Sequence, residues 1–183
     1  MNLFDPNNRF NLANSITFAN VACGVIALYF VTKHQFLTAI ILAWIAGALD
    51  ILDGKIARKY NLSTEFGVQL DSFADFLSFV IMPAFLLFYS LDIKDNFSLI
   101  IIGAIFIYYI ISGLRRLVEF NLKTDAGSVD KFFTGVPTPL GAILLWILYL
   151  LHSFNIISNP LIIALLTALI AWSLNSKIKI PHP

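Results

Sequence analysis

Residues 50–75 read DILDGKIARKYNLSTEFGVQLDSFAD. Asp50, Asp53, Asp71 and Asp75, together with Arg58, stand inside or beside segments that are otherwise apolar enough to cross a bilayer. An aspartate at the centre of a membrane helix costs about 2.5 to 3.5 kcal/mol on an insertion scale, so four facing lipid would cost on the order of 10 kcal/mol. These side chains must therefore face a polar cavity, and two consecutive helices must bring them to it.

The rest of the chain fits that demand. Of its 183 residues, 58% are hydrophobic and only 13% are charged, and the mean hydropathy is +0.82. That composition belongs to an integral membrane protein rather than a soluble domain. The formal net charge is +1 and the basic residues occur singly or in pairs, so there is no footprint for a nucleic-acid partner. Cys23 is the single cysteine. It is expected as a buried thiol filling a helix contact, with no intramolecular disulfide and no redox role. The opening MNLFDPNNRF lacks the basic region of a signal peptide, so Met1 is expected to remain.

A spanning helix needs about 20 mostly apolar residues. Six stretches qualify, near 12–32, 36–59, 66–90, 97–121, 137–154 and 159–176. The expected fold is an all-α bundle of six transmembrane helices forming one domain over residues 1–183. The preceding DPNNRFNLANS reads either as a short interfacial helix or as a polar tail. Pro83, inside the third span, is expected to kink it and free a carbonyl, and Pro137 and Pro139 sit where a helix start tolerates a missing N–H. Arg9, Arg58, Lys59, Arg115, Arg116, Lys123, Lys131, Lys177 and Lys179 fall at one set of helix ends, against Lys33 and Lys94 at the other. The positive-inside rule then puts both termini, and the opening of the aspartate cavity, on the cytoplasmic side of the cell membrane.

At 100° per residue, Asp50, Asp53, Gly54, Ala57 and Arg58 share one face of the second helix, and Gly67, Asp71 and Asp75 form a stripe on the third. Four facing carboxylates repel one another in a low dielectric and need protons, basic partners or metal. Lys55 and Arg58 cannot balance four. Hard oxygen ligands suit Mg²⁺, Mn²⁺ or Ca²⁺ rather than zinc, and one or two such ions are expected. The small Gly54 and Ala57 serve either a flat ligand or close helix packing. On the first helix Asn14, Thr17, Asn20 and Gly24 also share a face, as packing residues or as part of the cavity.

The spacing DxxDGxxAR, eight residues, GxxxDxxxD is matched by Asp50, Asp53, Gly54, Ala57, Arg58, Gly67, Asp71 and Asp75. It resembles the signature of the CDP-alcohol phosphatidyltransferases. That resemblance implies a six-helix membrane enzyme, usually a homodimer, that moves a phosphatidyl group from a CDP-linked lipid to an alcohol and releases CMP. It further implies that Asp50, Asp53 and Asp71 hold metal, with Asp75 as a further ligand and the general base. Arg58 would hold a phosphate of the CDP-lipid, with Gly54, Ala57 and Gly67 making room for it.

The motif does not choose the acceptor. Residues 66–84, FGVQLDSFADFLSFVIMPA, and the runs GLRRLVEFN (113–121) and FTGVPTPLGA (133–142) resemble the members of this family that use L-serine. A zwitterion with one carboxylate calls for a cation and hydrogen-bonding groups. The candidates are Arg115 and Arg116, with Asn14, Thr17, Asn20 and Thr134. The donor is CDP-diacylglycerol or its archaeal ether counterpart, CDP-archaeol. Transfer to glycerol phosphate or an inositol phosphate is the alternative within the family. Outside it stand a divalent-cation transporter, which would need acids on several helices through the membrane, and a structural subunit, which leaves the aspartates unexplained.

Overall fold

The computed structural model describes residues 3–125, 132–176 and 179–181. Its helices are α1 (Leu12–Thr32), α2 (Phe36–Lys59), α3 (Glu65–Asp75), α4 (Met82–Ser90), α5 (Asn96–Asp125), α6 (Thr138–Ser153) and α7 (Pro160–Leu174). A π-helical segment, Phe76–Ile81, joins α3 to α4 into one rod, Glu65–Ser90. Two short strands, β1 (Phe132–Thr134) and β2 (Lys179–Pro181), pair antiparallel with Phe133 opposite Ile180. Among the described residues, four helices are long and apolar enough to cross a membrane: Leu12–Thr32, Phe36–Lys59, Glu65–Ser90 and Asn96–Leu122. The molecule is thus a multi-pass, helical membrane protein. The last two apolar helices are 16 and 15 residues long, about 24 Å and 22 Å at 1.5 Å per residue, against about 30 Å of hydrocarbon.

The chain divides into two compact units, Met1–Ser78 and Phe79–Pro183. In the first, α1 buries Ala13, Asn14, Thr17, Asn20, Gly24, Ala27 and Val31 at alternating short spacings, while α2 buries Ala39, Ala46 and Asp53 seven residues apart. These small residues form a close antiparallel seam, and on α2 Leu37, Ile41, Trp44 and Ile45 are left exposed, as lipid-facing groups should be. Two glycines set the distance of the third helix from α1. A Cβ on Gly67 would lie 2.8 Å from Asn14 Oδ1, and one on Gly24 would lie 2.8 Å from Leu77 Cδ2. Cys23 is half-buried, more open than a purely space-filling thiol would be.

Helix ends are closed by local chemistry. His34, Asn61 and Asn155 take φ of 55°, 53° and 56°, just past the ends of α1, α2 and α6. Each ends a Schellman-type turn, with Gln35, Leu62 and Ile156 N–H donating to the carbonyls of Phe30, Ala57 and Leu151. After α2 this turn buries Leu62 and fixes where α3 begins. Thr64 then caps α3, its Oγ1 accepting from Gly67 N at 3.1 Å.

At two places the structure adds to the local reading. The segment before α1 is a set of turns, not an interfacial helix. Asp5 Oδ1 accepts from Asn7 N, and Asn8 Oδ1 from Phe10 N, so side chains take the N–H groups a helix would need. Ahead of Pro83, which sits in the first turn of α4, the helix passes through the π-helical turn Phe76–Ile81.

In the second unit α4 packs on α5 and α6, α5 on α7, and α6 on α7. Tyr109, Ile102, Leu145, Ile163 and Leu174 form its core. Gly135, at φ 86°, lets the chain turn beneath α7, where a Cβ would lie 2.6 Å from the Leu174 carbonyl oxygen. Side chains bridge the helices here. Asn175 Nδ2 donates to the Ser112 carbonyl at 3.0 Å, and the ring nitrogens of His152 lie 3.0 Å from the Ile157 oxygen and 3.1 Å from that of Ser90.

Candidate active site

The aspartates converge within the first unit. Asp50 and Asp53 are one turn apart near the end of α2, and Asp71 and Asp75 one turn apart near the start of the third rod. One carboxylate oxygen each from Asp50, Asp53 and Asp71 lies within 4.8 Å of the others. Asp75 is outside that triad, with its carboxyl close to that of Asp50. Among the described residues no lysine or arginine forms an ion pair with them. Such an all-oxygen, all-acidic donor set fits a hard divalent cation, with room left for ligands from a substrate.

A cavity of about 200 Å³ opens against this cluster. Asp53 and Asp71 line it on one side and Gly54, Ala57 and Arg58 on another, with Asn14, Thr17 and Gly67 completing the wall. Asp53 is only 4% exposed, while Asp71 is exposed, so the triad bridges interior and opening. The Arg58 guanidinium lies over Gly54, 3.5 Å from where a Cβ would stand. The cavity thus has a carboxylate floor and a single guanidinium, a combination that suits a phosphate ester bound through metal on one side and arginine on the other. Gly54 and Ala57 line the cavity, and a Cβ on Gly54 would meet the Arg58 side chain rather than a neighbouring helix, which fits the ligand reading of its size. Gly67 serves packing as well, through its approach to Asn14.

The face of α1 is part of the site. Thr17 Oγ1 donates to Asp53 Oδ2 at 2.6 Å, and Asn20 Nδ2 donates to Asp50 Oδ1 at 3.3 Å. Ser78 Oγ donates to Asn20 Oδ1 at 3.0 Å. The sequence singled out Thr17 and Asn20 as acceptor-binding candidates, and their donors end on aspartates. Ser78 entered that reading only within the run 66–84 that resembles the serine-using members, with no site role; its signal was a hydroxyl three residues after Asp75 in an apolar run. Asn14 is buried, with Nδ2 on the Arg9 carbonyl at 3.1 Å, and it borders the cavity. The turn before α1 reaches over the end of α2 and the start of α3, where Phe4 packs on Tyr60 and Arg9 lies over the Phe66 ring.

The remaining candidates belong to the second unit. Arg115 is exposed and its Nε donates to Glu119 at 2.9 Å. Arg116, one residue on and about 100° around the helix, is 5% exposed and its Nε donates to the Val136 carbonyl at 3.2 Å. Thr134 lies on β1, with its side chain outside the described part of the structure.

A family model described as CDP-alcohol phosphatidyltransferase matches residues 10–174, spanning both units. Three relatives bear the name CDP-diacylglycerol--serine O-phosphatidyltransferase. The one from Bacillus subtilis (strain 168) is 34% identical over 168 residues, 91% of this chain and 88% of its own length. That of Helicobacter pylori (strain 26695) is 30% identical over 147 residues, 80% of this chain and 60% of the relative. The Methanocaldococcus jannaschii protein is 30% identical over 181 residues, 98% of this chain and 78% of the relative.

Proposed function

The chain belongs to the CDP-alcohol phosphatidyltransferase family, and we propose that it transfers the phosphatidyl group of a CDP-lipid to the hydroxyl of L-serine, giving a phosphatidylserine-type lipid and CMP. The observation that carries this reading is the carboxylate triad beside a cavity with one arginine, supported for the acceptor by three relatives named for serine. The donor is CDP-diacylglycerol or its ether-lipid counterpart.

In this reading Asp50, Asp53 and Asp71 hold one or two divalent ions, Mg²⁺ or Mn²⁺, with Asp75 beside them. Bound there, such an ion neutralises pyrophosphate charge and assists departure of CMP. Arg58 holds a lipid-side or nucleotide phosphate with its planar fork, and Gly54, Ala57 and Gly67 leave space for the nucleotide. Asp75 accepts the proton of the serine hydroxyl as that oxygen attacks the lipid-side phosphorus. A new P–O bond to serine forms, the bond to the CMP oxygen breaks, and CMP leaves with the electron pair. Arg116 is the favoured partner for the serine carboxylate, being a buried guanidinium that forms no ion pair among the described residues. Asn14 borders the path of the substrates.

In this reading the chain acts as one catalytic domain with six membrane-embedded helices, two of them short. Basic residues at one set of helix ends support an active site and termini facing the cytoplasm, and the family resemblance supports a homodimer. The test is an acceptor panel. Purified protein with CDP-diacylglycerol and Mn²⁺ or Mg²⁺ should release CMP with serine, and not with glycerol 3-phosphate or inositol phosphate. Release with one of the latter alone would overturn the serine assignment.

A further inference from the structure

The geometry points to Thr17, Asn20 and Ser78 as positioning residues that fix which oxygens of Asp53 and Asp50 are presented to the carboxylate triad. This rests on the reading that the aspartates hold a divalent ion. A carboxylate offers two oxygens with about four lone-pair sites, and a free side chain would present them in many ways. Thr17 removes that freedom at Asp53. Its hydroxyl has one proton and two acceptors in reach, Asp53 Oδ2 at 2.6 Å and the Ala13 carbonyl at 3.2 Å. The shorter contact, to an ionised oxygen, takes the proton. Oδ2 is thereby held against α1, and Oδ1 is left for the cavity.

Asp50 is held by a directed chain. Ser78 Oγ donates to Asn20 Oδ1, so the amide oxygen is engaged and the NH₂ must face Asp50 Oδ1. Turning the amide over would set its oxygen against the acceptor-only carboxylate of Asp50, so Asp50 fixes the orientation of the amide and the Ser78 hydroxyl, able to donate or accept, donates to the oxygen that remains. Ser78 reaches Asn20 for two reasons. It lies in the π-helical segment Phe76–Ile81, a form that recurs at functional positions. And Gly24 admits the third helix at this level, since a Cβ there would stand 2.8 Å from Leu77 Cδ2 and 3.6 Å from Ser78 Oγ. A helix that carries none of the acidic motif thus orients two of its members. Groups bonded to metal ligands commonly govern affinity by about ten- to a hundredfold.

Mn²⁺ binding to the full chain in lipid nanodiscs, read as free Mn²⁺ by electron paramagnetic resonance, tests this without any turnover. Thr17→Val and Asn20→Leu keep shape and lose the donor; each should weaken Mn²⁺ by about ten- to a hundredfold. Thr17→Ser restores the hydroxyl and should restore affinity. Ser78→Ala should weaken binding less, since it acts through Asn20. Thr167→Val, whose hydroxyl donates to the Ile163 carbonyl of its own helix, should bind as wild type. Activity of Thr17→Val should recover at raised Mn²⁺, a rescue that a merely misfolded protein would not give. If Thr17→Val does not fold, Ser78→Ala against wild type decides. Wild-type Mn²⁺ affinity in the folded donor-less variants would overturn the inference; absence of Mn²⁺ binding by the wild type would instead overturn the metal reading beneath it.

Discussion

In the first unit, the Thr17 hydroxyl and the Asn20 amide end on carboxylates. In the second, the comparable interior groups end on backbone carbonyls: Arg116 on Val136, Asn175 on Ser112, Thr167 on Ile163 and His152 on Ser90 and Ile157. The second pattern satisfies polar atoms that a membrane interior would otherwise penalise, and ties helices together. The first leaves three carboxylates within 4.8 Å of one another, a surplus of negative charge that donors orient but do not neutralise. The named polar groups of the second unit are tied to the backbone, and Thr17 and Asn20 of the first converge on a carboxylate cluster. Arg116 is the exception, a buried cation whose carbonyl partner carries no charge.

The largest break in this contrast should come from the triad. Asp50→Ala, Asp53→Ala and Asp71→Ala are each expected to bring CMP release to background, as should chelation of divalent ions in the wild type. In the metal-free protein these variants should unfold at the same or a higher temperature, because each removes a like charge from the cluster. Full turnover in excess chelator would remove the distinction between the units.

Next comes Asp75→Asn. It keeps a hydrogen-bonding group beside Asp50 but cannot take a proton at neutral pH, so kcat should fall by about 10²- to 10⁴-fold. CDP-lipid affinity, measured by equilibrium binding, should stay close to wild type. Wild-type turnover would make Asp75 a ligand only.

Arg116→Lys tests the exception. It keeps charge but loses the planar fork, and the loss of one or two charge-assisted bonds, about 1.5 to 3 kcal/mol, should raise KM for serine roughly tenfold or more. KM for CDP-lipid should hold. Arg115→Lys should leave both unchanged, because that guanidinium is exposed on Glu119. If serine KM is unmoved in both, Arg116 joins the structural group.

The smallest effect on chemistry is expected at His152→Leu. Removing the ring loses contacts to two carbonyls, lowering stability by about 1 to 3 kcal/mol in thermal or denaturant unfolding while kcat stays at the wild-type value. A fall in kcat without a fall in stability would mean that this unit contributes to the reaction.

The carboxylate motif was legible because it is local. Spacings of three and four place Asp50 with Asp53 and Asp71 with Asp75 through helix geometry alone, and a short turn leaves two such stripes little choice but to meet. The polar face of α1 was legible too, as a face. Which groups it would touch was not, since Thr17 and Asp53 are 36 residues apart and Asn20 and Ser78 are 58 apart.

Those pairings depend on how closely helices approach, and here that distance is set by Gly24 and Gly67 meeting particular neighbours. The π-helical turn before Pro83, the turns that replace an interfacial helix before Leu12, and the divergence of Arg115 from Arg116 likewise arise from competition among alternative partners. Composition and helical period sufficed for a membrane protein with paired acidic stripes. The tertiary structure alone decided which donor holds which carboxylate oxygen, because hydrogen bonds select by fractions of an ångström what spacing can place only on a side of a helix.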